Sequence, residues 1–169
     1  MDNPVVLRAT EVAQALGVAT LRFNFRSVGA SGGVHDHGTG EQEDCRAALA
    51  ALRIRLDATS PVGLLGYSFG AWVAAHAAAA GAALSGLCLV APPIALYGFD
   101  GLALGGGALL LVAGSRDPYC PADELRRLAE RLGTEARIIE GAEHFFFGKL
   151  FPLGEAVEGW IRRWTAGGA

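Results

Sequence analysis

The chain has 169 residues, of which 51% are hydrophobic and 18% charged, with a formal net charge of −3 at pH 7 and a pI near 5.8. Such a length suits one domain around one core, and the hydrophobic share lies far from the composition of disordered chains. No basic face is on offer for nucleic acid, no apolar run nears the roughly 18 residues of a membrane span, and Met1-Asp2-Asn3-Pro4 lacks a secretory pattern, so a cytoplasmic protein without nucleic-acid or membrane partners is expected.

In chain order, Asn3 can cap and Pro4 can open a first helix whose stripe of Val5, Val6, Val12, Ala13 and Leu16 ends at Gly17. Residues 18–25 (VATLRFNF) alternate Leu21, Phe23 and Phe25 with Arg22, Asn24 and Arg26, which predicts a strand. A glycine-rich loop, 27–40, follows. Glu41, Glu43 and Asp44 then open a helix running to about Arg55, where negative charge complements the helix dipole.

Residues 61–67 read as a short apolar strand, 70–80 as an alanine-rich helix closed by Gly81, and 85–91 as a buried strand. The alternation continues with strand 108–113, helix 121–132, strand 135–140 and a last helix from about 152 to 165. Short apolar strands alternating with helices predict an α/β fold, a mostly parallel, doubly wound sheet of about five strands with helices on both faces. In such sheets ligands bind beyond the carboxyl ends of the strands, so chemistry is sought in the loops that follow them.

Three of those loops carry suitable residues. Gly66-Tyr67-Ser68-Phe69-Gly70 has the form G-x-S-x-G between an apolar strand and a helix, the context a nucleophile elbow requires. With 24 glycines in the chain, the bare pattern has roughly a one-in-eight chance of arising by accident, and its placement carries most of the weight. The N–H of Phe69 then faces the position of a developing oxyanion at a helix N-terminus. Strand 108–113 runs into Gly114-Ser115-Arg116-Asp117-Pro118, and strand 135–140 into Gly141-Ala142-Glu143-His144. Taken singly, Asp117 reads more readily as a turn residue, and His144 reads equally as a satisfied loop histidine. Taken together, Ser68, Asp117 and His144 stand in the order of a nucleophile, acid and base, each beyond a parallel strand.

With these motifs, FNFRSVGASGG, GYSFGAW, GSRDPYCP and GAEHFF, the chain resembles the small, lidless bacterial α/β-hydrolases related to dienelactone hydrolases. The resemblance covers essentially the whole chain and implies a serine hydrolase acting on carboxylic esters or related acyl compounds, with Ser68 as nucleophile, Asp117 as acid and His144 as base. It also implies an eight-stranded sheet in the order 1-2-4-3-5-6-7-8. Residues 18–25 match its fourth strand, so the single domain, 1–169, is expected to be N-terminally incomplete, a partial α/β-hydrolase fold. Strand three would sit between 18–25 and 61–67. Its absence leaves either a gap or a direct pairing of the two, and an exposed sheet edge that invites self-association. The loop after strand three usually carries a second oxyanion donor.

About sixteen residues separate the strands ending near 91 and beginning at 108, too few for a cap domain, so an open site and a small-molecule acyl substrate are expected. No cofactor is called for. The alternatives are a catalytically weak interaction module, a truncated fragment, and acyl transfer or perhydrolysis on the same residues. Cys45, Cys88 and Cys120 lack metal-ligand spacing and read as small buried residues in a reducing compartment. His35-Asp36-His37 has no further ligand to complete a metal site and reads as loop surface; His76 reads as helix packing; Arg22, Arg26 and Arg46 read as solvated or ion-paired faces rather than anion guides.

Overall fold

The computed structural model describes residues 2–104 and 107–165. Its elements, in chain order, are α1 (Pro4–Ala15), α2 (Thr39–Arg53), β1 (Gly63–Tyr67), α3 (Phe69–Ala79), β2 (Gly86–Val90), β3 (Ala108–Gly114), α4 (Ala122–Arg131), β4 (Ala136–Ile139) and α5 (Leu150–Thr165). The four strands pair in the order β1-β2-β3-β4, all parallel. None of the helices among the described residues is long and apolar enough to cross a membrane.

Alternation along the inner strands divides the core into two layers. Cys88 and Val90 of β2 and Leu110 and Val112 of β3 point toward α1 and α5, where Val5, Leu153 and Trp160 are buried. Their neighbours Leu87, Leu89, Leu111 and Ala113 point the other way, onto Ala71, Ala75 and Leu125 of α3 and α4. Both faces are covered, which explains why these strands read as continuous apolar runs. Helix α1 opens as the sequence predicts: the Asn3 side chain accepts the N–H of Val5 at 2.9 Å and Pro4 fills the first turn.

Segment 18–25 departs from the expected fifth strand. Among the described residues it pairs with no strand, and the sheet therefore has four strands rather than about five. Its alternation is satisfied by side chains alone: Phe23 and Phe25 pack with Leu49, Phe69 and Trp72 against the buried Cys45, Val73 and Ala77. Between this segment and β1 lies a cavity of about 230 Å³, walled by Ala9, Leu21, Leu49, Leu64, Trp160 and Trp164. The gap, not direct pairing, is the arrangement adopted, and β1 is an edge strand. In the cavity wall, Trp164 Nε1 is a buried donor without a hydrogen-bond partner among the described residues.

Candidate active site

Ser68 follows the last residue of β1 and precedes the first of α3, with φ 54° and ψ −125°, a conformation that non-glycine residues rarely adopt. The turn is held because the Ser68 N–H donates to Val90 O at 2.9 Å and Ser68 O accepts the N–H of Ala71 at 2.8 Å. So tight a strand–helix crossing leaves no room at Gly66, where a Cβ would collide with the carbonyl of Gly70. Gly70 itself is different: a Cβ there would lie 3.8 Å from the Phe25 ring, an ordinary contact. Only the first glycine of the motif is sterically required.

The loops after β3 and β4 bring the other two predicted residues to this turn. His144 Nε2 lies 2.9 Å from Ser68 Oγ, and His144 Nδ1 lies 2.8 Å from Asp117 Oδ2. An ionised carboxylate only accepts, so Nδ1 carries the hydrogen and Nε2 is left to accept from the Ser68 hydroxyl. Asp117 and His144 are both buried, at 4% and 6% exposure. The second carboxylate oxygen, Oδ1, accepts the N–H of Tyr119 at 2.9 Å and of Cys120 at 3.0 Å. Tyr67 O–H donates to the carbonyl of His144 at 3.1 Å, fixing the histidine loop to the elbow. Burial, with the Asp117 charge nearby, pushes the Tyr67 hydroxyl up to about 12, so it remains a donor.

Phe69, the first residue of α3, carries an N–H that no carbonyl within the helix reaches. Its ring lies within 5.5–6.1 Å, centroid to centroid, of Phe25, His35, Trp72 and Tyr97.

Other candidates are placed elsewhere. His76 Nδ1–H donates to Trp72 O at 2.9 Å and its ring lies 4.0 Å from the Trp72 ring, a packing role on α3. Burial, then the Asp117 and Glu124 charges, push the Cys120 thiol well up, which keeps it out of nucleophilic chemistry. Arg26 is bound to Asp44 at 2.9 Å and Glu43 at 3.3 Å, an internal ion pair rather than an anion guide.

Glu41 stands in the first turn of α2, as the sequence predicts, though the helix begins two residues earlier, at Thr39, and the Glu41 side chain is fully buried. Its carboxylate accepts the N–H of Gly38 at 2.7 Å and of Asp36 at 3.0 Å, and meets His35 Nδ1 at 2.7 Å. Burial pushes this carboxyl up, but those N–H groups, its own N–H and His35 outweigh it and hold the group below the ordinary carboxylate range. His35-Asp36-His37 is thus organised around a carboxylate, with His35 turned onto Phe69 at 5.5 Å.

No family model matches the chain. An uncharacterized protein of Rickettsia prowazekii is 32% identical over 171 residues, covering 95% of this chain and 72% of its own length. An alpha-beta serine hydrolase homologue from Coxiella burnetii superposes with a TM-score of 0.85 at 34% identity, over 94% of this chain and 76% of that one. A lidless a/b serine hydrolase from Xanthomonas campestris does so at 0.86 and 36%, over 97% and 75%. This chain belongs to the α/β-hydrolase superfamily. A putative α/β-hydrolase from Agrobacterium tumefaciens, at 33% identity and TM-score 0.90 over 99% of this chain and 79% of its own, has the same architecture. The sharp turn at Ser68 joins β1 to α3, and Asp117 and His144 follow it in chain order on the loops after β3 and β4.

Proposed function

We propose that this α/β-hydrolase is a serine hydrolase of carboxylic esters or related acyl compounds, working without a cofactor. The observation that carries the reading is the continuous hydrogen-bonded chain from Ser68 Oγ through His144 to Asp117, at 2.9 and 2.8 Å. His144 Nε2 takes the hydroxyl proton as Ser68 Oγ attacks the substrate carbonyl carbon, and the carbonyl π electrons move onto oxygen. Asp117 stabilises the imidazolium so formed. The N–H of Phe69, at the positive end of the α3 dipole, donates to the oxyanion. Collapse of the tetrahedral species expels the alcohol with the proton from Nε2 and leaves an acyl-Ser68 ester. Water, deprotonated by the same imidazole, then releases the acid.

The three cysteines are free and buried, which fits a reducing compartment, and a cytoplasmic location is part of the proposal. The test is labelling with a fluorophosphonate probe beside short-chain ester turnover. Ser68→Ala is expected to abolish both while leaving the far-UV spectrum unchanged. Turnover and labelling retained in that variant would refute the assignment.

A further inference from the structure

The His144 side chain is 7% exposed, yet two of the rings against it are open to water, Tyr119 at 42% and Phe145 at 51%, as is Phe147 beyond Phe145 at 69%; the third ring, Tyr67 at 5.4 Å, is partly buried. Tyr119 meets the imidazole edge-on at a centroid distance of 5.0 Å and 74°, and Phe145 does so at 5.5 Å and 84°. Phe147 stacks on Phe145 at 5.8 Å and 30°. Exposed aromatic surface gathered on one residue, rather than scattered, marks a place where something apolar binds.

Which half of a substrate meets these rings follows from the proton path, and so rests on the proposed roles of Ser68 and His144. The proton that Nε2 takes from Ser68 goes next to the departing oxygen, which must stand within hydrogen-bond reach of Nε2. The carbon skeleton attached to that oxygen then lies over the residues flanking the imidazole. Tyr119 and Phe145 therefore touch the alcohol half of an ester and not the acyl half. Neither ring is closed over by the protein, and a flat ring can enter edge-on or offset at the 4.5–7 Å spacing that aromatic pairs prefer.

We propose that Tyr119 and Phe145 form the leaving-group subsite and that the substrates are aryl esters, whose alcohol half is a phenol. When the tetrahedral species collapses, the bond from the carbonyl carbon to the phenolic oxygen breaks, and its electron pair goes to that oxygen. The Nε2 proton follows, neutral phenol departs, and the acyl group stays on Ser68.

The experiment compares phenyl acetate with hexafluoroisopropyl acetate, whose leaving groups are of comparable acidity, each rate divided by that ester's own rate with hydroxide. The intact protein is expected to favour the phenyl ester about tenfold or more in kcat/KM. Phe145→Leu and Tyr119→Leu, both at half-exposed positions, are each expected to lower that preference by about three- to tenfold. The preference between phenyl acetate and phenyl butanoate, set on the acyl side, is expected to stay where it was. Equal normalised rates for the two acetates, or variants that shift the acyl-length preference instead, would overturn the subsite. If Ser68 takes the fluorophosphonate and the two acetates are still equal, the subsite alone fails. If Ser68 takes no label and neither ester turns over, the hydrolase reading fails and the subsite with it.

Discussion

Asp117 divides its carboxylate between two loops: Oδ2 faces His144 Nδ1 at 2.8 Å, while Oδ1 accepts the N–H groups of Tyr119 and Cys120. In Asp117→Asn the single amide oxygen is claimed by those two N–H donors, and the NH₂ is left facing Nδ1. Nδ1 must then accept, its hydrogen moves to Nε2, and the imidazole meets Ser68 with a donor instead of a lone pair. The variant is expected to fold normally and to lose about 10⁴-fold in kcat, by analogy with the serine-protease triad. Steady-state kinetics beside circular dichroism checks this; a loss of tenfold or less would show that Asp117 does not set the tautomer.

The two glycines of the elbow are expected to respond in opposite directions to the same change. Gly66→Ala drives a Cβ into the carbonyl of Gly70, backbone that cannot move aside without opening the turn, and is expected to cost about 2–4 kcal/mol. Gly70→Ala meets only the Phe25 ring at 3.8 Å, and on α3 it is expected to be neutral or to gain up to about 1 kcal/mol. Urea unfolding of the pair measures the contrast, which equal losses would contradict.

Acid sensitivity is expected to run through Glu41 and Asp44. The Arg26 guanidinium holds the Asp44 carboxyl below its ordinary range, as the loop N–H groups and His35 do for Glu41. A folded-state pKa that is depressed gives stability in full above the unfolded values, near 4.5 for Glu41 and 3.8 for Asp44, and loses it as pH falls toward the lower folded ones. Chemical unfolding between pH 6 and about pH 3 is expected to show a declining limb that is shallower in Glu41→Gln and in Asp44→Asn. An unchanged slope in both variants would remove these groups from the account.

The bare flank of β1 beside the cavity is expected to recruit a second copy of the chain, because unpaired strand backbone is a template for pairing. Light scattering after size exclusion is expected to show a mass that rises with concentration. Leu21→Lys, a charge placed at a 39%-exposed position in the cavity wall, is expected to reduce it. A constant monomer mass for the unmodified chain across the whole range would count against this surface.

What could be read from residues alone follows from how local each signal is. The runs GLCLV and ALLLVAG are buried on both faces and announce inner parallel strands without ambiguity. Ser68, Asp117 and His144 were legible because each sits just beyond a parallel strand, β1, β3 and β4 in turn, so strand positions also positioned them. Segment 18–25 was not legible in the same way. Its alternation reports where side chains point, which the structure honours, but a strand also needs a neighbour for its backbone, and no residue within the segment encodes one. Glu41 was legible as a helix start but not as a buried group. Its place among acids marks the helix N-terminus, while its burial comes with the N–H groups of Asp36 and Gly38, the latter at φ 108°, which the folded loop turns onto its carboxylate. The rings at Tyr119 and Phe145 stood in plain view beside the predicted acid and base. Their shared focus on one imidazole appears only once two loops, 25 residues and more apart in sequence, are folded together.

Of the strands that deliver the three aligned residues, β1 and β4 are the two outer ones and β3 is an inner one. Ser68 and His144 therefore ride on the parts of the sheet with half the cross-strand bonding, and Asp117 on a part bonded on both sides. In hydrogen–deuterium exchange, amides of β2 and β3 should wait for global opening, whereas those on the free flanks of β1 and β4 should exchange through smaller, more frequent excursions. What holds the ends together is a clasp across the top of the sheet: the Ser68–His144 contact at 2.9 Å and the Tyr67–His144 contact at 3.1 Å. These bonds link the two outer strands directly, over β2 and β3, so the contacts that tie Ser68 and Tyr67 to His144 also limit how far the sheet's margins can fray.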